Sequence, residues 1–253
     1  MLRFSSLGSG SRGNATLVEA GNTCVMIDCG FSVAETRRRL ARLGKAPTDI
    51  HAILVTHEHS DHIGGVAGFA RRFGVPVWMT AGTSVMHSAT DLPSLDWFDG
   101  HSSFSIDDLQ ITPFPVPHDA REPCQFVFSD GAVRLGVLTD TGSITAHIRE
   151  QLNGCEALLL ECNHDLVMLA DGPYPPVLKR RVGGRLGHLS NRQAADLLNA
   201  LDTTALRHLV AAHLSDKNNR PELARAALAG ALGCESDWIG VADQAEGLGW
   251  RGI

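Results

Sequence analysis

Residues 57–62 read His-Glu-His-Ser-Asp-His, one residue after the apolar run Ala52-Ile53-Leu54-Val55. A short apolar run that breaks into polar residues reads as a strand leaving a sheet, so three imidazoles and the Asp61 carboxylate crowd one sheet edge. Neutral imidazole with carboxylate suits zinc, manganese or iron, in sites able to activate water. His57 and His59 are two apart and point the same way from extended chain. Asp61 and His62 fall where a helix begins and turn toward a second point. One metal cannot easily use all four without strain, whereas two metals about 3.5–4 Å apart can. A lone histidine is usually an ordinary surface or core residue; four ligand-type side chains in six positions are not.

Further ligands must come from elsewhere in the chain. His118 follows the stiff segment Phe114-Pro115-Val116-Pro117, Asp140 follows Leu138-Thr139, and His213 follows Leu209-Val210-Ala211-Ala212. Asp28 ends Val25-Met26-Ile27 in the same way. Each alone could be structural. Together, four apolar strands finishing in a ligand-type residue are what one site built from strand tips requires.

The rest of the pattern gives those strands a setting. Residues 2–7, 15–20 and 23–28 read as strands, with Gly21-Asn22 as a turn; 33–43 and about 62–73 read as helices around strand 52–56. Later strands are expected near 76–79, 109–115, 124–129, 132–139, 156–161 and 206–211, with a hairpin turn at Asp130-Gly131. Helices are expected near 144–152, 190–200 and 221–231, with Ser190 or Asn191 as a cap and Pro221 in a first turn. Early hairpins followed by strands alternating with helices indicate an α/β fold of mixed sheets covered by helices. At 253 residues with no low-complexity linker, residues 1–253 read as a single domain.

Composition narrows the setting. No apolar run nears the roughly 20 residues that span a bilayer. No long apolar stretch opens the N-terminus, and the six cysteines are scattered without a Cys-x-x-Cys, so a reduced cytoplasm is expected and no membrane partner. A net charge of −6 is the wrong sign for coating nucleic acid, although two divalent metals would change the local field. Arg37, Arg38, Arg39, Arg42 and Lys45 read as a solvated helix face. Lys179, Arg180, Arg181 and Arg185 precede His188, where a phosphate-facing role competes with the same reading.

Gly8-Ser9-Gly10-Ser11-Arg12-Gly13 matches a dinucleotide-binding fingerprint. That fingerprint must open a helix whose N-terminus holds the pyrophosphate. Here Asn14-Ala15-Thr16-Leu17-Val18-Glu19 continues as a strand, so the glycines read as a turn or as a backbone loop near a substrate phosphate. Ser11 and Asn14, with Lys179 and Arg181, are the candidate phosphate contacts.

The ordered set Asp28, His57-x-His59-x-Asp61-His62, His118, Asp140, His213 resembles the metallo-β-lactamase superfamily over nearly the whole chain. The resemblance implies an αββα sandwich with a binuclear centre. His57, His59 and His118 would hold one metal and Asp61, His62 and His213 the other, bridged by Asp140 and a hydroxide. Asp28 would orient ligands rather than bind metal. A carboxylate at 140, where β-lactamases of the superfamily often use cysteine, is similar to the hydrolase, phosphodiesterase and nuclease branches.

Gly187-His188-Leu189-Ser190-Asn191 opening a helix, with His213-Leu214-Ser215 after it, resembles the ribonuclease Z and phosphodiesterase branches. There the histidine corresponding to His188 faces the scissile phosphate, and a glutamate placed like Glu161 orients it and keeps it able to act as an acid. Ser6–Asn14, Glu161-Cys162-Asn163-His164-Asp165, Gly172-Pro173-Tyr174-Pro175 and Asn218-Asn219 with Pro221 narrow the resemblance to the YycJ/WalJ family. This implies a cytoplasmic nuclease with Asp61, His188 and Glu161 in catalysis, two divalent cations (zinc or manganese, with iron or nickel as options), and DNA degraded 5′ to 3′. Only 21 residues separate His118 from Asp140 and 47 separate Asp140 from His188, leaving no room for a long substrate-gripping arm or a large inserted domain. Grip on a polymer must come from the core surface, a second subunit in a homodimer, or a partner. The competing readings are a phosphodiesterase of small cyclic or nucleotide substrates, a thioester or lactam hydrolase, and a metal-stabilised interaction module.

Overall fold

The computed structural model describes residues 1–86 and 92–253. One sheet contains β1 (Leu2–Gly8), β2 (Ala15–Ala20), β3 (Thr23–Ile27), β4 (Ala52–Leu54), β5 (Val77–Met79) and β6 (Leu95–Trp97). The other contains β7 (Phe104–Ile106), β8 (Leu109–Pro115), β9 (Cys124–Ser129), β10 (Arg134–Leu138), β11 (Ala157–Glu161), β12 (His208–Ala212) and β13 (Gly240–Val241). The last strand, β14 (Leu248–Gly252), returns to the first sheet, giving the orders β14-β1-β2-β3-β4-β5-β6 and β13-β12-β11-β10-β9-β8-β7. Both sheets are mixed: hairpins at one end, parallel pairs β3–β4–β5 and β10–β11–β12 at the other.

Strands β2, β3, β4, β9, β10, β11 and β12 are buried on both faces along nearly their whole length, which is why they read as near-continuous apolar runs. Val25 and Ile27 of β3, with Ala157 and Leu159 of β11, join the layer between the sheets. Their alternates face outward. Met26 lies with Leu40 of α1 (Val33–Arg42) and Val66 and Phe69 of α3 (Val66–Phe73). Leu158 and Leu160 lie with Ile148 of α5 (Ala146–Leu152), Leu197 of α8 (Asn191–Asn199) and Leu228 of α9 (Pro221–Leu232). The result is the αββα sandwich. Ser190 caps α8, its hydroxyl accepting from Gln193 N–H, and Pro221 opens α9, both as expected.

Three features differ from the sequence reading. The expected helix over 62–73 is split into α2 (Ser60–Ile63) and α3 by Gly64-Gly65. A Cβ on Gly65 would sit 1.8 Å from the Phe31 carbonyl oxygen, so the chain can turn there only without a side chain. Short elements went unrecognised: α4 (Ala81–Met86), α6 (Leu166–Asp171), α7 (Pro176–Val182), β6, β7, β13 and β14. Each spans seven residues or fewer, too short for periodicity to declare. Finally, α1 is not merely a solvated basic face. Arg39 is buried, its Nη1 donating to the carbonyls of Leu7 and Gln244 at 2.8 Å each, its guanidinium 4.0 Å from the Phe31 ring centre. Among the described residues no helix is long and apolar enough to cross a membrane.

Candidate metal centre

Five strands deliver side chains to one edge. Asp28 follows β3, His57 lies three residues past β4, Asp140 two past β10, Glu161 ends β11, and His213 follows β12. Asp28, Asp140 and His213 adopt φ of 59°, 50° and 54°. Non-glycine residues in this region carry on the order of 1–3 kcal/mol of strain each, and such strain clusters at functional sites. The kink turns each strand's final side chain out of the pleat and into the shared space. Behind it, three loops are laced together: Cys29 N–H donates to His62 O (2.8 Å), Asn14 N–H to Asp61 O (2.8 Å) and Gly65 N–H to Cys29 O (2.7 Å).

The converging side chains form overlapping donor sets. His57, His59 and His118 each place a ring nitrogen within 4.8 Å of the others, and so do donor atoms of Asp61, His62 and His213. Asp140 lies between: one oxygen is 3.1 Å from His62 Nε2, the other 3.9 Å from His118 Nε2. Asp61 Oδ2 is 3.5 Å from His62 Nε2 and 3.6 Å from His213 Nε2. His57 Nε2, His213 Nε2 and Asp140 Oδ2 are buried without a hydrogen-bond partner. Leaving such atoms unpaired costs about 1–3 kcal/mol each, which a coordinated cation would remove. The donors are imidazole and carboxylate, the set suited to zinc, manganese or iron. The residues present therefore fit divalent metal.

A surrounding layer fixes these donors. Asp28 accepts from Thr56 N–H at 2.8 Å and Thr56 Oγ1–H at 2.9 Å, and its Oδ2 lies 2.7 Å from His62 Nδ1. Glu161, fully buried, places Oε1 2.8 Å from His188 Nδ1 and 3.1 Å from His213 Nδ1, while Oε2 accepts from Thr141 and Leu189 N–H. One carboxylate thus contacts both His188, the histidine expected at the phosphate, and His213 of the second donor set. Thr56 and Asn163, whose amide donates to His213 O at 3.0 Å, were missed as site residues. Thr56 is the residue immediately before the histidine cluster, which was the signal available.

The electrostatics favour positive charge. Burial opposes ionisation of Asp140, yet His213 and His62 hold it well below the usual carboxylate range. Burial likewise opposes charge on His62 and His213, but Asp140 outweighs it, aided by Asp28 at His62, lifting His62 well above the imidazole range and His213 to about 10. Burial also works against Glu161, which its contacts with His188 and His213 nevertheless hold at about 2. His57, desolvated and beside His62, is kept neutral.

The glycine-rich turn proves to brace this centre. Ser9 Oγ accepts from His213 N–H at 2.8 Å, and Asn14 Nδ2 reaches His62 Nε2 at 3.1 Å while Asn14 Oδ1 accepts from Gly10 N–H at 2.8 Å. Asn14 is buried and engaged inside the protein; Ser11 is exposed at the tip of the loop. Lys179 donates to the Ala170 carbonyl, tying α7 to α6 rather than reaching the cluster. Arg181 does reach its rim, with Nε 2.6 Å from Asp119 Oδ2, and Asp119 Oδ1 lies 3.6 Å from His118 Nε2.

Two mixed sheets flanked by helices, with a His/Asp donor cluster at their strand ends, define a metal-dependent hydrolase. Residues 23–214 match the Beta-lactamase superfamily domain. The chain belongs to the metallo-β-lactamase superfamily, in its YycJ/WalJ branch. It is 34% identical to exodeoxyribonuclease YycJ of Bacillus anthracis, across 97% of this chain and 94% of the relative. It is 32% identical to exodeoxyribonuclease WalJ of Streptococcus pneumoniae, across 94% and 91%. The solved metallo-β-lactamase-fold protein YhfI of Bacillus subtilis superposes with a TM-score of 0.77 at 13% identity, covering 100% of both chains.

Proposed function

We propose that the protein is a two-metal phosphodiesterase that degrades DNA from the 5′ end. The observation that carries this reading is the position of Asp140 between two complete donor triads, with His188 beside it at 3.4 Å. His57, His59 and His118 would hold one cation and Asp61, His62 and His213 the other, Asp140 serving both. Such a pair supplies a water of lowered pKa and neutralises phosphoryl charge. The protein's own side chains do the rest. His59, Asp61 and His188 are the members still open to solvent, with side chains 28%, 24% and 20% exposed, so substrate arrives over them. Charged Glu161 accepts a hydrogen bond from His188 Nδ1–H, which aims Nε2 at the substrate. With a second proton on Nε2, the imidazolium passes that proton to the departing oxygen and is left as the neutral Nδ1–H form. Asp61 steers the attacking water. The names of the YycJ and WalJ relatives support DNA as the polymer.

The test is digestion of 5′- and 3′-labelled single- and double-stranded DNA and RNA by manganese- or zinc-loaded protein, with bis-p-nitrophenyl phosphate and cyclic nucleotides alongside. Immediate release of the 5′ label as mononucleotide, with a shrinking ladder from the 3′ label, is expected. Cleavage of RNA or cyclic nucleotides alone would replace the substrate. Failure to cleave any phosphodiester would leave a metal-stabilised interaction module.

A further inference from the structure

At the opposite end of β12 from His213 lies a cleft of about 400 Å³, where the edge strands β13 and β14 of the two sheets come together. From His208 to His213 is five residues, roughly 17 Å of extended chain, so the cleft is separate from the metal centre. Arg207, Arg225 and Arg251 line it, with Asp237, Trp238 and Ile239. Among the described residues, none of these three guanidiniums is within ion-pairing distance of a carboxylate. Arg225 is the telling one. Its Nε is buried without a hydrogen-bond partner, and Glu222, one helical turn earlier on α9, does not pair with it. A desolvated guanidinium N–H without an acceptor is costly, and an anion held in the cleft by the rest of the Arg225 guanidinium would offset that cost. Arginine's planar fork matches phosphate oxygens two at a time. Trp238, 43% exposed at the same cleft, offers an indole face for a planar ring. The volume lies in the ordinary range for small-molecule sites.

We propose that this cleft binds a nucleotide, its phosphate held by Arg225 with Arg207 and Arg251 and its base against Trp238. The nucleotide is either free or a unit of a longer strand.

Calorimetric titration of the metal-loaded protein with dTMP, inorganic phosphate and a short oligothymidylate tests it. Arg225→Ala is expected to weaken dTMP and phosphate binding about tenfold or more, a loss near 1.4 kcal/mol. Trp238→Leu is expected to weaken dTMP but not phosphate. Arg225→Lys and the double change Arg207→Ala/Arg251→Ala guard against misfolding. All four variants should hydrolyse bis-p-nitrophenyl phosphate at the wild-type rate, because none touches the metal centre. Tighter binding of the oligothymidylate than of dTMP identifies a strand as the source, and the reverse identifies the free nucleotide. Equal affinities in wild type and the arginine variants overturn the site; unchanged dTMP binding in Trp238→Leu overturns the base contact.

Discussion

Glu161 shows how much one residue can be asked to do. Its two oxygens serve His188, His213, Thr141 and Leu189. His188→Ala should therefore lower phosphodiester turnover about 10²- to 10⁴-fold, the usual range for a general acid, while metal content measured by atomic emission stays at the wild-type level. Full turnover in that variant would remove His188 from the reaction. Glu161→Gln should behave differently, because it touches both functions. It should lower turnover and also weaken metal affinity about 10- to 100-fold, as loss of a partner behind a metal ligand does. A Glu161→Gln protein with unaltered metal affinity would mean that its contact with His213 is idle. At this scale the sequence was informative: the donors sit at strand ends and in one short cluster. What it did not show is the layer behind them. Thr56, Asn163 and Ser9 are ordinary residue types, recognisable only by what they touch.

At the scale of elements, α1 is the clearest case of a helix with a use beyond covering a sheet. Arg39 and Arg42 donate to the carbonyl of Leu7 and to the carbonyls of Gln244 and Ala245, pinning the C-terminal segment to β1. Glu35 holds the clamp by pairing with Arg38 and Arg39, which lower its pKa to about 2 from an ordinary value of 4.5. A depressed folded-state pKa contributes stability that is present above the unfolded value and is lost as pH falls through the folded one. Glu35→Gln should therefore be less stable than wild type at pH 7 by under about 1 kcal/mol, since the pair is partly solvated. The gap should close as pH drops from about 4.5 toward 2, as read by urea unfolding at stepped pH. A gap independent of pH would mean that packing rather than charge is involved. The arginines were visible in the sequence as a helical run; their acceptors, about 30 and 200 residues away, were not.

The whole molecule is two hairpin-and-parallel sheets closed face to face, with strained strand ends brought together at one edge. Three residues at positive φ and three orphaned buried donor atoms make the metal-free centre a local weakness. Metal should repair it. At a free concentration 100 times its dissociation constant, a ligand that binds only the folded chain adds about 2.7 kcal/mol, roughly 5–10 °C in a chain of this size. Chelation should lower the melting temperature by that order, and manganese or zinc should restore it, whereas Asp140→Asn should melt low with or without metal. A melting temperature indifferent to chelator would argue against a metal centre at these residues.

The sequence by itself determined the chemistry. Apolar runs of strand length marked where the chain is extended, and the ligand-type residues that end them pointed to one shared site built from strand tips. It also indicated mixed sheets covered by helices, since strands apolar on both faces need cover on both; the αββα sandwich itself came from the resemblance of the ordered ligand set to the superfamily. The resemblance pointed to Asp140 between the triads and to Glu161 behind His188; only the tertiary structure showed that Glu161 also contacts His213, and that the glycine-rich turn braces His213 and His62 through Ser9 and Asn14. Those are contacts between residues tens to hundreds of positions apart. Local pattern is silent about them because register, strand order and the kinks at Asp28, Asp140 and His213 are settled only when both sheets close.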